Sequence, residues 1–312
     1  MTFTLRQLVY FRAVAEHRHF GHAADACHVS QPALSVQIRG LEAQAGAPLV
    51  ERRARDVVLT PLGRQILALA HEVLDAAEAL ERVVRDQGAG RRTLSLGLIP
   101  TIAPYLLPGV LEGLRGGDLQ LGVQVREART ETLIDRLRGG ALDAAVLALP
   151  CGERDLVEMP LFEDRFLLAG SQSRLDRLAA GAGALRPTDL EASQLLLLED
   201  GHCLTDQALE VCGKDRSGTG INMGAGSLGT LSRLVAAGFG LTLMPELAAA
   251  AESDAAPGLC LRRFPQPEPA RTVGLVRRAS TPEEGWVTDL ADLIRSVGER
   301  IVAATRQPQP DP

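Results

Sequence analysis

Long apolar runs are absent from this sequence. No stretch approaches the ~20 consecutive apolar residues of a membrane-spanning helix, and residues 1–6 lack the charged-then-apolar profile of a signal peptide. We therefore expect a cytoplasmic protein with no membrane partner. Cysteine is also scarce, because the 312 residues include only five. Their odd number, together with a reducing cytoplasm, argues against a structural disulfide framework.

The charge is distributed unevenly along the chain. A hydrophobic content of 46% is typical of a soluble globular protein, here with two or three domains expected. The first 65 residues contain eight arginines and five acidic residues, a net charge of +3, which leaves −9 for the remainder of a chain whose total is −6. A basic head on an acidic body indicates nucleic-acid binding confined to the N-terminus.

The first 45 residues have the pattern of a helix-turn-helix. Apolar residues at helical spacing predict a helix over residues 5–17, and a second, short helix fits residues 21–27. A tight turn over 28–30 follows, with Ser30 as the N-cap of a helix over 31–45. This last helix is expected to face the major groove of double-stranded DNA with Gln31, Pro32, Ser35, Gln37 and Arg39.

A short β-hairpin is predicted directly after this helix. Alternation over residues 49–53 and 56–59 places three arginines at its tip, Arg52, Arg53 and Arg55. Arginines there suit phosphate contacts, which position a protein on DNA without reading its sequence. A three-helix packing unit with a solvated charged face is the alternative. The turn spacing, the cap and the basic hairpin together favour a winged helix-turn-helix over residues 1–60.

A long linker helix is predicted over residues 61–90. Thr60 and Pro61 form a typical helix start, and apolar residues then recur in steps of four and three at Leu62, Ile66, Leu69, Val73, Ala76, Leu80 and Val83. This heptad seam is a coiled-coil signal that needs a partner helix. We therefore expect at least a dimer, which would place two DNA-binding heads on consecutive turns of the duplex.

Residues 91–304 are expected to form an α/β effector domain of two lobes. Strand and helix patterns alternate over residues 94–149, which predicts a mostly parallel sheet there with a ligand crevice that would hold Thr101 and Thr130. The first lobe covers about 91–165 and 270–304, the second about 166–269, and residues 305–312 are expected to be a disordered tail. The expected strands and helices cover residues 94–99, 104–114, 121–125, 130–137, 144–149, 195–198, 228–237, 241–244, 272–276 and 284–303.

Two cysteines nine positions apart, Cys203 and Cys212, are unusual in a chain so poor in cysteine. Cys203 follows His202 and begins a predicted helix, so its sulfur would lie at the positive end of a helix dipole. If residues 203–212 are helical, the two Cα atoms are ~13.5 Å apart, whereas a disulfide needs less than about 7 Å. From spacing alone, two small buried apolar residues are the commoner outcome. No metal is expected, because paired ligand spacings such as C-x-x-C are missing, and no cofactor is expected.

The N-terminal motifs resemble those of the LysR-type transcriptional regulators. The resemblance rests on residues 23–42, which include Val29-Ser30-Gln31-Pro32-Ala33-Leu34-Ser35, and on Thr60-Pro61-x-Gly63. It covers essentially the whole chain. The resemblance implies a winged helix-turn-helix, a dimerising linker helix and an effector domain of two α/β lobes like a periplasmic binding protein. It also implies a homotetramer built as a dimer of dimers.

Three further stretches resemble the peroxide-sensing members of that family, namely residues 97–101, 198–203 and 267–276. This resemblance implies that the Cys203 thiolate attacks hydrogen peroxide. The resulting sulfenic acid would form a disulfide with Cys212, remodel the effector domain and activate oxidative-stress genes. RNA polymerase is implied as a partner, and a glutaredoxin or thioredoxin as the reductant.

The same resemblance assigns roles around the two thiols. Arg271 would stabilise the thiolate and the developing negative charge, and the peroxide oxygens would be held by Thr101, Thr130 and His202. One departure is Thr205, where peroxide-sensing relatives commonly have a basic residue. Two alternatives stay open: a LysR-type regulator of a small organic effector with incidental cysteines, and a thiol peroxidase. The DNA-binding head argues against the peroxidase, so no enzyme is expected.

Overall fold

The computed structural model describes residues 3–53, 56–89, 93–116, 122–181, 185–215, 225–281 and 285–306. The chain divides into two compact units, one formed by residues 1–90 with 138–141 and the other by 91–137 with 142–312. We call them the N-terminal unit and the effector unit. None of the described helices is both long enough and apolar enough to cross a membrane.

The N-terminal unit contains the predicted helix-turn-helix and hairpin. Its elements are α1 (Leu5–His17), α2 (Phe20–Ala26), α3 (Gln31–Ala45), β1 (Val50–Arg52), β2 (Val57–Leu59) and α4 (Pro61–Ala89). The Ser30 hydroxyl accepts a hydrogen bond from the Ala33 amide at 3.4 Å and caps α3 as predicted. The two strands pair antiparallel, with Val50 opposite Leu59. The fully buried Phe11 packs in the core that these helices share.

The long helix α4 has an exposed apolar face. Its start is the predicted one, because Thr60 Oγ1 accepts a hydrogen bond from the Gly63 amide at 2.9 Å. Ala70 and Leu74 are buried in the core of the N-terminal unit. Apolar side chains between 45% and 66% exposed are Leu69, Val73, Leu80 and Val84. Three of these four, Leu69, Val73 and Leu80, belong to the predicted heptad seam, so this part of the seam is exposed to solvent in the single chain. Leu62 and Ile66 pack partly against the core, and the side chain of Val83 lies outside the described residues.

The effector unit is a mixed α/β domain with two lobes. Its elements are β3 (Thr93–Leu98), α5 (Ala103–Gly116), β4 (Gly122–Glu127), α6 (Thr130–Arg138), β5 (Ala144–Leu149), β6 (Leu156–Ser171), α7 (Gln172–Gly181), α8 (Cys203–Cys212), α9 (Leu228–Ala236), β7 (Thr242–Pro245), α10 (Glu246–Ala255), β8 (Leu259–Arg263), β9 (Ala270–Arg278) and α11 (Gly285–Ala304). The strands form one sheet in the order β4-β3-β5-β9-β6-β7, and β8 also pairs with β6.

The three strands for which a mostly parallel sheet was predicted, β3, β4 and β5, are parallel, but the sheet as a whole is mixed. β3 is parallel to β4 and β5, but β9 is antiparallel to β5 and β6, and β6 is antiparallel to β7 and β8. The 16-residue strand β6 takes part in three of the four antiparallel pairs. Its residues 156–165 pair with β9 in the first lobe, and residues 166–171 pair with β7 and β8 in the second lobe. One long strand therefore joins the two lobes.

The second lobe and the C-terminus also differ from the prediction. Residues 195–198 form no named strand but make two isolated parallel bridges, from Leu195 to Leu241 and from Leu198 to Ala225. The elements α7, α10 and β8 have no counterpart among the predicted ones. Arg306 Nη2 lies 2.7 Å from Glu246 Oε2, so residue 306, which was expected to belong to a disordered tail, is held by an ion pair. The remainder of that predicted tail, 307–312, lies outside the described residues.

Candidate functional site

Most of the predicted DNA-contacting side chains on α3 face solvent. Exposed or partly exposed are Gln31, Pro32, Gln37 and Arg39. In the hairpin that follows, the side chain of Arg53 is 63% exposed. The side chain of Arg52 and the whole of Arg55 lie outside the described residues. The described part of the surface is therefore polar and basic, as a DNA-contacting face requires.

Ser35 is the exception on α3. Its side chain is only 8% exposed, so the prediction that it points outward is wrong. The neighbouring Leu34 and Ile38 are fully buried, and their face of the helix turns Ser35 towards the core. Val36 is 53% exposed beside it. A search for polar side chains overlooks Val36, although an apolar side chain can contact a thymine methyl group in the major groove.

Cys203 is the first residue of α8. The preceding turn contains Gly201 at φ +91°, a left-handed conformation that favours glycine. His202 is the N-cap residue, but its side chain makes no capping hydrogen bond. The turn places the half-buried Cys203 thiol at the helix N-terminus. Unpaired amide groups and the helix dipole favour negative charge at that position.

A narrow pocket lies against Cys203. It is lined by Ile99, Pro100, Thr101, Arg129, Thr130, Gly201, His202 and Cys203, so four predicted site residues meet there. Among the residues that the structure describes, neither Thr130 Oγ1 nor His202 Nδ1 has a hydrogen-bond partner, although both atoms are buried. Buried polar atoms normally have partners. Two such atoms in one small pocket therefore indicate a site for a small polar molecule.

Arg271 reaches this pocket through Thr101. Its Nη1 donates to Thr101 Oγ1 at 3.0 Å, and its Nη2 donates to the Thr101 carbonyl at 3.2 Å. Arg271 itself is not among the described residues that line the pocket. Its hydrogen bonds hold Thr101 in place. The predicted role of Arg271, stabilising the thiolate and the developing negative charge, stays a prediction.

Asp164 balances the charge of Arg271. The two residues are opposite each other in β6 and β9, and Arg271 Nε donates to Asp164 Oδ2 at 2.9 Å. Asp164 Oδ1 accepts from the Leu247 amide at 2.9 Å. Burial raises the pKa of the Asp164 carboxyl, and the Arg271 guanidinium opposes that shift. The sequence patterns did not single out Asp164, although it alternates with Phe162 and Phe166 and so shares their strand face. A carboxylate on an apolar face is a signal of a specific partner.

His202 is buried, with a relative exposure of 5%. Burial is the main cause that lowers the pKa of its imidazole; the Arg129 guanidinium lowers that pKa further, and Glu199 opposes the shift. The ring is therefore neutral at neutral pH. A neutral imidazole has one nitrogen that donates and one that accepts a hydrogen bond, which suits a ligand with both kinds of group.

Cys212 lies at the other end of α8 in different surroundings. Its side chain is 1% exposed and packs in the apolar core of the second lobe, whereas Cys203 packs against the core of the first lobe. Burial raises the pKa of Cys212 to about 11, so this residue is a protonated thiol at neutral pH. Both thiols are free. Because α8 is continuous from 203 to 212, their Cα atoms are ~13.5 Å apart.

Thr205 occupies a buried position in the first turn of α8. Its hydroxyl donates to the Leu198 carbonyl at 2.9 Å and so fastens the start of α8 to the segment before it. A positive charge lies elsewhere: Arg129 Nη2 is 3.0 Å from Glu199 Oε1 beside the pocket. Sequence reasoning missed this pair because its two residues are 70 positions apart and belong to different lobes.

The other cysteines lie outside the pocket. Cys27 is partly buried against the core of the N-terminal unit, and Cys260 packs partly against the core of the second lobe. Cys151 Sγ donates a hydrogen bond to Glu158 Oε1 at 2.9 Å. Burial and this carboxylate raise the pKa of Cys151 to about 11. The Cys151 thiol is thereby kept protonated.

A winged helix-turn-helix followed by a long helix and a two-lobed α/β domain defines a class of bacterial DNA-binding regulators. Residues 5–64 match the family described as bacterial regulatory helix-turn-helix protein, lysR family, and residues 87–299 match the LysR substrate binding domain. The chain therefore belongs to the LysR family.

Within that family the chain is similar to proteins named for hydrogen peroxide. It is 41% identical over 292 residues to the hydrogen peroxide-inducible genes activator of Dickeya chrysanthemi, covering 93% of this chain and 94% of the relative. It is also 41% identical over 293 residues to the dual regulator OxyR of Escherichia coli, covering 94% and 95%. A solved structure of a cysteine-to-serine variant of Corynebacterium glutamicum OxyR, bound to H2O2, has a TM-score of 0.61 at 36% identity and covers 97% and 96% of the two chains.

Proposed function

We propose that this protein is a LysR-type transcription regulator that binds promoter DNA and responds to hydrogen peroxide through Cys203. The observation that carries the proposal is the pocket in which unpartnered polar atoms of Thr130 and His202 lie beside the Cys203 thiol at a helix N-terminus. Hydrogen peroxide is small and can both donate and accept hydrogen bonds. The names of the relatives support the same ligand.

In the first step the Cys203 thiolate attacks one peroxide oxygen. The S–O bond forms as the O–O bond breaks, and the second oxygen leaves as hydroxide, which takes up a proton to become water. The sulfur is oxidised by two electrons to a sulfenic acid. Thr130, His202 and Thr101 would align the peroxide oxygens with the sulfur. Arg271, balanced by Asp164, would keep Thr101 in position.

In the second step Cys212 would resolve the sulfenic acid. Its sulfur attacks the Cys203 sulfur, the sulfenic oxygen leaves as water, and a disulfide forms. A disulfide needs Cα atoms less than about 7 Å apart, so α8 must unwind. Cys203 must also leave the core of the first lobe, because Cys212 lies in that of the second. Formation of the disulfide would thereby be coupled to a conformational change in the effector unit.

The conformational change would be transmitted to DNA through the oligomer. The exposed seam of α4 supports a dimer, and we propose a dimer of dimers that contacts RNA polymerase. DNA contacts would be made by Gln31, Pro32, Gln37 and Arg39, with phosphate contacts from Arg52, Arg53 and Arg55. We further propose that the protein acts in the cytoplasm at the nucleoid, with a glutaredoxin or thioredoxin as its reductant.

Transcription in vitro tests this function. The purified reduced protein is first used to select DNA fragments from genomic DNA. RNA polymerase then transcribes these fragments in the presence of the protein, which either has or has not been treated with H2O2. We expect peroxide to raise transcription with the native protein and with Cys151→Ser, a control whose thiol lies outside the pocket. Cys203→Ser should stay at the reduced level. A normal peroxide response of that variant would refute the assignment, and sustained peroxide consumption with a reductant would point to a peroxidase instead.

A further inference from the structure

We propose that Arg129, held by Glu199, is a lid that makes the Cys203 pocket selective for hydrogen peroxide over bulkier hydroperoxides. The inference rests on the proposed function. It concerns a residue that does not belong to the predicted site. Its role would be to determine which oxidants reach Cys203.

Arg129 lies where two cavities meet. It lines the narrow pocket beside Cys203, and it also lines a larger cleft between the lobes, together with Glu127, Glu199 and Glu252. The side chain of Arg129 is 44% exposed. Pro100 and His202 also line both cavities. His202 is buried and Pro100 is partly buried, so Arg129 is the exposed side chain of the three.

The lid contact depends on Gly201. A Cβ atom added there would lie 2.9 Å from Arg129 Nη1 and 3.0 Å from its Cδ, closer than side chains pack. The arginine thus lies directly over the turn that precedes Cys203. The pocket has no room for a water-sized molecule in this arrangement, so a side chain that lines it must move before an oxidant enters. Arg129 is the exposed side chain of that lining, and in our proposal it is the one that moves.

Glu199 fixes the lid from the opposite lobe. Its Oε1 is 3.0 Å from Arg129 Nη2, and its amide donates to the Ala225 carbonyl at 3.1 Å. Both side chains of the pair are nearly half exposed, at 44% and 46%, and an ion pair so exposed is weak. The lid can therefore open without separating the lobes. A small oxidant needs only a small displacement, whereas a bulky one needs the whole side chain to leave.

The thiolate attacks both oxidants in the same way, and the two oxidants differ in the bulk of the leaving group. With H2O2 the leaving group is hydroxide; with tert-butyl hydroperoxide it is tert-butoxide, which is protonated to the alcohol. In both reactions the thiolate sulfur gains one oxygen and loses two electrons. The leaving oxygen of tert-butyl hydroperoxide carries a tertiary carbon with three methyl groups. A closed lid excludes that group, and an open lid admits it.

The rate of Cys203 oxidation by each oxidant tests the lid. Full-length reduced protein is mixed with H2O2 or tert-butyl hydroperoxide, quenched with an alkylating agent and analysed by mass spectrometry of the 203–212 peptide. Arg129→Ala removes both bulk and charge, Arg129→Met keeps the bulk without the charge, and Arg154→Ala is a control at an exposed arginine outside both cavities. Circular dichroism verifies that each variant is folded.

We expect Arg129→Ala to raise the ratio of the tert-butyl hydroperoxide rate to the H2O2 rate by roughly tenfold or more, since steric fit discriminates on that scale. Arg154→Ala should keep the native ratio, and Arg129→Met, which keeps the bulk but loses the ion pair with Glu199, should raise the ratio less than Arg129→Ala does. An unchanged ratio in Arg129→Ala would overturn the inference alone, as would an equal rise in Arg129→Met. Failure of H2O2 to oxidise Cys203 in the native protein would overturn the proposed function and the inference with it.

Discussion

At the scale of single residues, the surroundings of His202 make a pH dependence predictable. Burial and Arg129 lower the pKa of its imidazole below the ordinary 6.5, against the opposing effect of Glu199. The unfolded chain therefore binds this proton first as the pH falls. Protonation of His202 therefore has no effect on the free energy of unfolding above about pH 7.5. It lowers that free energy as the pH falls through about 6.5, the pKa of the unfolded chain, towards the lower pKa of the folded protein.

Thermal unfolding of His202→Asn measures this contribution. Acidification from about pH 8 to about pH 5.5 should lower the melting temperature of the native protein more than that of His202→Asn, which has no ionisable group at this position. The difference between the two proteins removes the common effect of the other histidines. Equal losses in the two proteins would show that the native state protonates His202 as readily as the unfolded chain does.

At the scale of elements, α8 is the part of the protein that must change. The hydrogen bond from Thr205 to the Leu198 carbonyl would be broken when the helix unwinds. Thr205→Val keeps the shape of the side chain and removes the donor. We expect a loss of about 1 kcal/mol in the stability of the reduced protein. Because only the reduced form has this bond, the disulfide should become more stable relative to the dithiol.

A redox titration against glutathione or dithiothreitol checks the expectation for Thr205→Val. The midpoint potential of the 203–212 couple should become more negative by about 20 mV, the equivalent of that destabilisation for a two-electron couple. Thr188→Val, at an exposed threonine, is the control and should leave the potential unchanged. A destabilised reduced protein with an unaltered potential would mean that the first turn of α8 survives oxidation.

The elements also show what sequence patterns reveal. Helical periodicity and the caps at Ser30 and Thr60 predicted the DNA-binding head and α4, because burial of one helix face dictates the spacing of apolar residues. Strand direction leaves no such periodic trace, so the antiparallel course of β6 was not predictable. Contacts between distant residues were equally hidden. Asp164 meets Arg271 across paired strands, and Arg129 meets Glu199 between loops, at positions that only the folded chain brings together.

At the scale of the whole molecule, the exposed seam of α4 predicts an oligomer. Leu80 is 66% exposed, and burial of one leucine side chain contributes about 1.5–3 kcal/mol. Leu80→Glu should raise the dissociation constant of the oligomer by on the order of 100-fold without unfolding α4, because glutamate is a good helix former. DNA binding needs the two winged helix-turn-helix domains of a dimer, so the affinity of Leu80→Glu for DNA should also fall.

Analytical ultracentrifugation measures the dissociation constant, with Gln65→Glu as the control. That control adds the same charge to an exposed position of α4 outside the seam. It should leave the dissociation constant close to that of the native protein. If Leu80→Glu associated as tightly as the control, the seam would not be the interface.

The proposed response to peroxide depends on two thiols at opposite ends of α8, which are too far apart to form a disulfide until Cys203 is oxidised and the helix unwinds. The most direct measurement is mass spectrometry of the digested full-length protein after treatment with an equimolar amount of H2O2 and alkylation of the remaining free thiols. We expect a peptide in which Cys203 and Cys212 are joined, lighter by two hydrogens than the reduced form, while Cys27, Cys151 and Cys260 are alkylated. A hyperoxidised Cys203 beside an alkylated Cys212, or two alkylated thiols, would contradict it.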